Sequence, residues 1–546
     1  MKFGTLILSA LLAACTAAAQ DKPQTASVSG QVISVATGSP IPQADLSYWV
    51  GGKSVDTKTD DAGRYKFTDL APGSGHLVAE APMPSMPGFG AMARRYLTLA
   101  PGQDLTGIDV RVRPYGEISG KVLDENKEPV PGMNVYLIAR EYSSGALRYI
   151  YASGAAADDE GNYTMKRVEP GRGYLLVAQN PFTKLDAISN SPDDPRMRKR
   201  VPVASFYPGV PEIAAASVIT LRPGEIREAM DLPIVKAPSF CVEGKALLGN
   251  NPGTLTFDVA PPSPSSGQSG NGGMYLRNAG GTTGRDGAFR ICNLSPGPWQ
   301  ITMSQWDAQA GHFTFYGSQT ITIKDADLSG VAVSASALIP VSGEVVWDGA
   351  PPNDPVGAKL TIRLAPITTA GDVTTTASLP GAFSFDGGLL MTDYIPAVTG
   401  LKGTFYLKDV TYADRSVLFE PLHAGSAAGN AALRVVVARD GGVVQTKVTD
   451  KDGNAVSDSF VTVIPATANS EALVAAMYVS GQTDQTGTWK SGALAPGKYY
   501  VLATETGPDK TPETIAKLMA ARSRIDPVEV GPNATATVTA VQKELE

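Results

Sequence analysis

Apolar residues recur in this chain at fixed distances from a glycine, and the same set of distances is used four times. From Gly63 the apolar side chains fall at Tyr65, Phe67 and Leu70, and the set closes on Pro72-Gly73. From Gly161 they fall at Tyr163, Met165 and Val168, before Pro170-Gly171, and from Gly287 at Phe289, Ile291 and Leu294, before Pro296-Gly297. From Gly487 they fall at Trp489 and Leu494, before Pro496-Gly497, with Ser491 in place of the middle apolar residue. The first two positions of each set share one face of an extended chain, because strand side chains alternate. The leading glycine supplies a turn with positive φ at little cost, and Asp61, Asp159 and Asp286 just before it read as turn initiators. A second strand-like run follows each Pro-Gly, beginning at His76, Tyr174, Trp299 and Tyr499. Turn, strand, turn, strand is the grammar of an antiparallel β-sandwich.

The glycine-led rulers are roughly 100 residues apart, and the gap between Gly287 and Gly487 is about twice that, so a fourth module carries a degraded copy. Its remnants are sought in Gly381-Ala-Phe-Ser-Phe and in Gly403-Thr-Phe-Tyr-Leu. Each module also opens on a strand with a common pattern: Val28-Ser-Gly-Gln-Val, Ile118-Ser-Gly-Lys-Val, Val242-Glu-Gly-Lys-Ala and Val341-Ser-Gly-Glu-Val. Val444-Gln-Thr-Lys-Val is a fifth version without the glycine. The expected division is 25–114, 115–237, 238–338, 339–439 and 440–546, all-β throughout. One short helix is expected near the C-terminus, where Thr511 caps Pro512-Glu513 and a run of good helix formers. Residues 182–200 and 261–273, rich in Pro, Ser, Gly or charge, are expected as loops.

Composition narrows the function classes. A net charge of −7, without long runs of either sign, argues against a nucleic-acid partner. After the N-terminus no apolar run is long enough for a transmembrane helix. The N-terminus itself, with Lys2 before the apolar stretch Leu6–Leu12, reads as an export leader. Two processing sites compete: residues 1–19 are removed after Ala17-Ala18-Ala19, or residues 1–14 are removed at Leu12-Ala13-Ala14-Cys15 and Cys15 is lipidated. Either places the protein outside the cytoplasm, in the periplasm, on the outer membrane or beyond the cell. Cys241 and Cys292, the remaining two cysteines, fall in one module. In an oxidising compartment they suit a disulfide, against the alternative of two buried thiols.

The Ser-Gly-x-Val openings, Pro129-Val-Pro-Gly before Val135, and the Asp-x-Gly-x-Tyr rulers at Tyr65 and Tyr163 resemble carboxypeptidase regulatory-like domains. These are prealbumin-like sandwiches, of immunoglobulin-like build and related to Cna-B-type modules. Phe206-Tyr-Pro-Gly, Leu407-Lys-Asp-Val-Thr-Tyr and the late helix further resemble large secreted acidobacterial proteins built of such domains in tandem. The resemblance covers nearly the whole chain beyond the leader. It implies an accessory domain rather than a peptidase, and brings glycan binding as an inherited expectation from similar folds.

The chain offers little for catalysis. His76, His312 and His423 lie in different modules, without a His-x-x-Glu or His-Glu-x-x-His pattern to hold zinc. Neither a Gly-x-Ser-x-Gly elbow nor a full Walker-type Gly-x-x-x-x-Gly-Lys-Ser/Thr phosphate loop occurs. The acid pairs Asp60-Asp61, Asp158-Asp159 and Asp193-Asp194 sit in turn contexts, which favours turn capping over glycosidase or calcium chemistry. Met83, Met86 and Met92 form a thioether-rich loop better suited to apolar contact than to copper. Trp299, Trp306 and Tyr316, with Phe313 and Phe315, are the candidate ligand platform, set against plain core packing. The expectation is a non-enzymatic exported scaffold or adhesion protein of the cell envelope, needing no cofactor and meeting a glycan or an envelope protein. A carbohydrate-binding helper of polysaccharide uptake or degradation is the alternative.

Overall fold

A computed structural model describes residues 24–82, 90–143, 146–179, 200–260, 279–309, 311–350, 359–366, 372–425 and 432–545. The leader, Cys15, Met83, Met86, Asp193-Asp194 and nearly all of both expected loops lie outside these residues. Strands dominate, in five successive groups that follow one plan. An opening strand lies between a ruler strand, paired antiparallel, and a closing strand, paired parallel. In the first group Ala26–Ser34 takes Arg64–Leu70 on one side and Asp104–Leu105 with Val110–Val112 on the other. The second uses Gly116–Leu123 with Asn162–Val168, Ile226–Arg227 and Leu232–Pro233. The third uses Phe240–Leu248 with Ala288–Leu294 and Leu328–Ala337. The fourth uses Ser342–Trp347 with Gly381–Ser384 and Leu433–Ala438, and the fifth Val443–Thr449 with Thr488–Lys490 and Thr535–Val541. A second sheet covers each: in the first group it runs Lys53–Lys58, Asp45–Val50, Gly73–Glu80, Met92–Leu99. Each sandwich encloses its own apolar core, such as Val28, Leu46, Tyr48, Phe67 and Leu77 in the first.

The ruler residues earn their spacing here. Gly63, Gly161, Gly287 and Gly487 have φ of 69°, 73°, 74° and 73°, so all four occupy the left-handed region that a side chain resists. Each accepts a hydrogen bond at its carbonyl from the opening strand, from Val32, Val122, Ala246 and Val448 N–H respectively, at 2.8–2.9 Å. The turn acid is not the expected Asp61 or Asp159. Asp60, Asp158 and Asp484 fill that role, each accepting from two backbone N–H groups, as Asp60 Oδ1 does from Ala62 and Arg64 at 2.9 and 2.8 Å. A carboxylate three residues before the glycine reaches into the turn, whereas its neighbour faces solvent. Asp286 captures only the Ala288 N–H, at 3.2 Å.

The opening glycine has a separate cause. The residue facing it across the ladder is the first ruler aromatic: Gly30 faces Tyr65, Gly120 Tyr163, Gly244 Phe289, and Gly343 Phe383. Over the same four glycines passes a backbone carbonyl of the closing segment, from Ile108, Met230, Val331 and Leu433 respectively, where a Cβ would collide with it. Tyr65 and Tyr163 donate their hydroxyls to the Ile108 and Met230 carbonyls. The glycine therefore lets the closing strand cross while the aromatic ring covers the gap. The fifth sandwich has Thr446 here, facing Trp489, because its closing strand runs beside the opening strand in unbroken register from Val443↔Thr535 to Thr449↔Val541. In the fourth, Gly381 occupies the ruler position, with Phe383 and Phe385 buried. Gly403 does not: the strand that follows it, Tyr406–Tyr412, pairs with the closing strand instead.

Three further differences from expectation appear. The sheets are antiparallel apart from the opening–closing pairs. The two sheets of the third sandwich join along one edge, through Phe315↔Ala337 and Tyr316↔Ser336. Among the described residues there are two α-helices rather than one: α1, Glu471–Met477, capped by Ser470, and α2, Pro512–Arg522, capped by Thr511. The first escaped notice because seven residues give two turns and too short an apolar period to stand out. The helices share a core of Ile464, Val474, Ala475, Ile515 and Leu518, against which Tyr142 of the second sandwich packs. Tyr142 also donates to Glu471 at 2.7 Å, and Arg140 pairs with Glu513 at 2.6 Å.

The last sandwich also meets the first. Gln485 makes two hydrogen bonds to the Thr98 backbone, and Arg95 pairs with Asp458 at 2.9 Å. Burial pushes the Asp458 carboxyl up to about 6, with the attraction of Arg95 and then Arg111 opposing it incompletely. A carboxyl raised on docking binds its proton more tightly in the docked state. Its contribution is therefore present at low pH and lost as pH rises through about 6. We expect the stability difference between wild type and Asp458→Asn to shift by up to about 1.4 kcal/mol between pH 5 and pH 7.5, since only about one pH unit of that window lies below the docked value. The wild type should gain relative to the variant on acidification; a relative loss, read by hydrogen exchange of the peptides around Asp458 through a urea series at the two pH values, would contradict this assignment.

Candidate functional site

The residues with chemical potential are dispersed. His312 Nδ1 lies 2.9 Å from the Phe313 carbonyl, and His423 pairs with Asp393 at the surface of the fourth sandwich. Among the described residues no three His, Cys, Asp or Glu side chains gather around a common point. Turn acids are occupied by their own turns: hydrogen bonds, from the Asn162 amide first, hold the Asp158 carboxyl below its usual range. In Asp450 the Asn454 side chain does the same.

Cys241 and Cys292 are joined as a disulfide, with Cα atoms 4.0 Å apart on the opening and ruler strands of the third sandwich. Both are buried, and they flank the register shift between Phe240 and Val242, where the ladder's own hydrogen bonding is interrupted. Asp327 anchors the same point by accepting the Cys241 N–H at 2.9 Å.

The candidate platform of Trp299, Trp306 and Tyr316 does not form one surface. Trp299 is 4 % exposed, packs in the core with Ile301 and Met303, and donates Nε1–H to the Ser295 carbonyl at 2.8 Å. Trp306, seven residues on in the same strand, faces the opposite way and is 55 % exposed, with Phe313 edge-on at 4.9 Å. Tyr316 is partly buried against the core of the fourth sandwich. An odd separation along a strand puts Trp299 and Trp306 on opposite faces, which removes Trp299 from any ligand surface.

A different aromatic row does lie on one face. In the first sandwich Trp49 faces His76 and His76 faces Tyr96 across three adjacent strands. Trp49 and His76 have ring planes within 9° of parallel and centroids 6.4 Å apart; His76 and Tyr96 centroids are 5.9 Å apart. Leu46, Tyr48, Leu77 and Leu97 alternate with them into the core, so the row points outward. Burial, and then the charge of Arg94, lower the His76 pKa, which favours the neutral ring. Sequence reading missed this row because its members are far apart in the chain. The available signal was the alternation in Leu46-Ser-Tyr-Trp and in Tyr96-Leu-Thr-Leu, which already turns Trp49 and Tyr96 outward. Met92, expected in an apolar loop, is 64 % exposed at the end of the same sheet.

Residues 27–113 match the family described as carboxypeptidase regulatory-like domain, a span that coincides with the first sandwich. No curated protein sequence matches the chain. Among solved structures, the streptococcal ancillary pilin is similar at 12 % identity, covering 57 % of this chain and 99 % of its own, with a TM-score of 0.18. The Bacillus anthracis TIE protein aligns at 9 % identity over 95 % of this chain and 73 % of its own, with a TM-score of 0.15. The minor pilin of Streptococcus agalactiae aligns at 11 % identity over 39 % of this chain and 98 % of its own, with a TM-score of 0.21.

Proposed function

We propose that this chain is a non-enzymatic, exported scaffold of the bacterial cell envelope, made of five sandwiches spanning 25–114, 115–237, 238–338, 339–439 and 440–546. One observation carries the reading: in all five groups the opening and closing strands run parallel, side by side. A chain that enters a sandwich at the start of one strand and leaves at the end of its parallel neighbour exits at the opposite pole. Enzymes have no need of that arrangement, whereas serial load-bearing or spacing modules do. With the first and last strands paired in parallel, tension along the chain loads their hydrogen bonds together in shear. The residues that recur from copy to copy are turn glycines, crossing glycines and core aromatics, and none of them is a reactive group. The apolar leader before residue 20 supports export, and Cys15 within it would add a lipid anchor. The contacts of the last sandwich with the first and second give the unloaded chain a folded-back form. Stretching the full chain between its ends tests the reading, since serial sandwiches unfold one at a time.

A further inference from the structure

We propose that the outer face of the first sandwich is a binding site for a neutral polysaccharide, seated on the row Trp49–His76–Tyr96. With all five sandwiches in place, Trp49 and Tyr96 each remain 41 % exposed, so no neighbouring sandwich covers the row. Exposed aromatic rows occur in sheets for stability alone, since cross-strand pairs contribute modestly to it. Three features point beyond that to a ligand.

The row runs across the strands, not along one. Neighbouring strands are about 4.8 Å apart, so from Trp49 to Tyr96 it spans roughly 10 Å, the scale of a short run of linked sugar rings. A sugar ring has an apolar face of C–H groups and a rim of hydroxyls. The apolar face suits an aromatic surface, and the rim needs polar groups alongside.

Polar groups flank the row on both sides. Two residues further along, the next outward row reads Asp56, Ser47, Val78 and Arg94, by the register Ser47↔Asp56, Ser47↔Val78 and Val78↔Arg94, so polar side chains stand on either side of one apolar residue, Val78. On the other side Ser74 Oγ and Thr98 Oγ1 are 3.2 Å apart and present both donor and acceptor capacity. The acid and the arginine balance one another, and His76 favours its neutral form. A neutral chain is therefore the better match than a polyanion.

The face is also the one held in place by the last sandwich. Gln485 grips Thr98 through both backbone hydrogen bonds, at the end of the strand that carries Tyr96. The scaffold thereby fixes the edge of the row without covering it.

The test is affinity electrophoresis of the full chain in native gels containing amylopectin, mixed-linkage β-glucan, xyloglucan or galactomannan, with polygalacturonate as the anionic comparison. Retardation is expected in at least one neutral gel. Trp49→Ala and Tyr96→Ala should each weaken it about tenfold or more, as removal of a central aromatic anchor does. Trp49→Phe, which keeps an aromatic face, should retain part of the binding and guards against loss of fold. Trp306→Ala, an exposed aromatic of another sandwich, should change nothing. The proposal is overturned by no retardation in any neutral gel, by retardation in polygalacturonate alone, or by retardation that survives both alanine substitutions. A protein ligand for this face gives the first of these results. None of them touches the scaffold reading, which stands or falls on stepwise unfolding under tension.

Discussion

Replacing Gly244 by alanine should destabilise the third sandwich by roughly 3–5 kcal/mol, although only one methyl group is added. The added Cβ would collide with the Val331 carbonyl oxygen and lie 2.6 Å from Phe289 Cζ. Neither neighbour can yield cheaply. Val331 is backbone within the parallel closing strand, and Phe289 is buried in the core beside Phe257. The substitution also pushes apart the two elements that hold the sandwich ends together. Thr446→Gly provides the converse. At that position the closing strand is straight and a β-branched residue fits, so the change should cost only what a lost side chain costs, about 1 kcal/mol. The chain holds several sandwiches and will not unfold in two states, so the measurement must be local. Hydrogen exchange of peptides within 240–337, followed through a urea series, reads it. A Gly244→Ala midpoint indistinguishable from wild type would remove the crossing as the reason for this glycine.

Reduction of Cys241–Cys292 should lower the stability of the same sandwich by about 2–4 kcal/mol and leave the other four where they are. The bridge closes a loop of 51 residues in the unfolded chain, and the chain-entropy treatment of such a loop gives a value near the top of that range. In the folded state it joins strands that are already neighbours, at a point where their pairing is offset. The double variant Cys241→Ala, Cys292→Ala should reproduce the effect of reductant and abolish any further response to it. Protein produced in a reducing compartment should behave like the variant. If reductant leaves exchange within 240–337 unchanged, the two thiols are packing residues and the bridge contributes nothing.

Much of this architecture is legible before any coordinates. The ruler glycines, the buried aromatics two residues on and the opening strands are local patterns, and local patterns survive in one dimension. The cause of the opening glycine is not local. It depends on a carbonyl that arrives from Ile108 to Gly30, or from Val331 to Gly244, after most of a sandwich has intervened. The same holds for Thr446, whose exemption follows from an unbroken parallel partner strand far downstream. Gly381 and Gly403 both head aromatic runs, and only pairing with the opening strand separates them. The binding surface divides in the same way. Parity along one strand sets Trp299 and Trp306 on opposite faces, a local signal at odds with their grouping as one platform in the sequence. The alignment of Trp49 with His76 and Tyr96 needed cross-strand register, which a sequence does not carry.

The measurement that tests the central claim most directly is force–extension of single full-length chains held at both ends. A scaffold of serial sandwiches, each closed by a parallel opening–closing pair, should give five separate unfolding events after the folded-back contacts yield. Each event should release roughly 300 Å, for about 100 residues at about 3.3–3.6 Å apiece. One event should be shorter than the rest under oxidising conditions, because the 51-residue loop behind Cys241–Cys292 hides roughly 170–180 Å of chain. Reductant should restore it to full length. Extension in a single cooperative event, in fewer than five, or without resolvable steps would contradict the account.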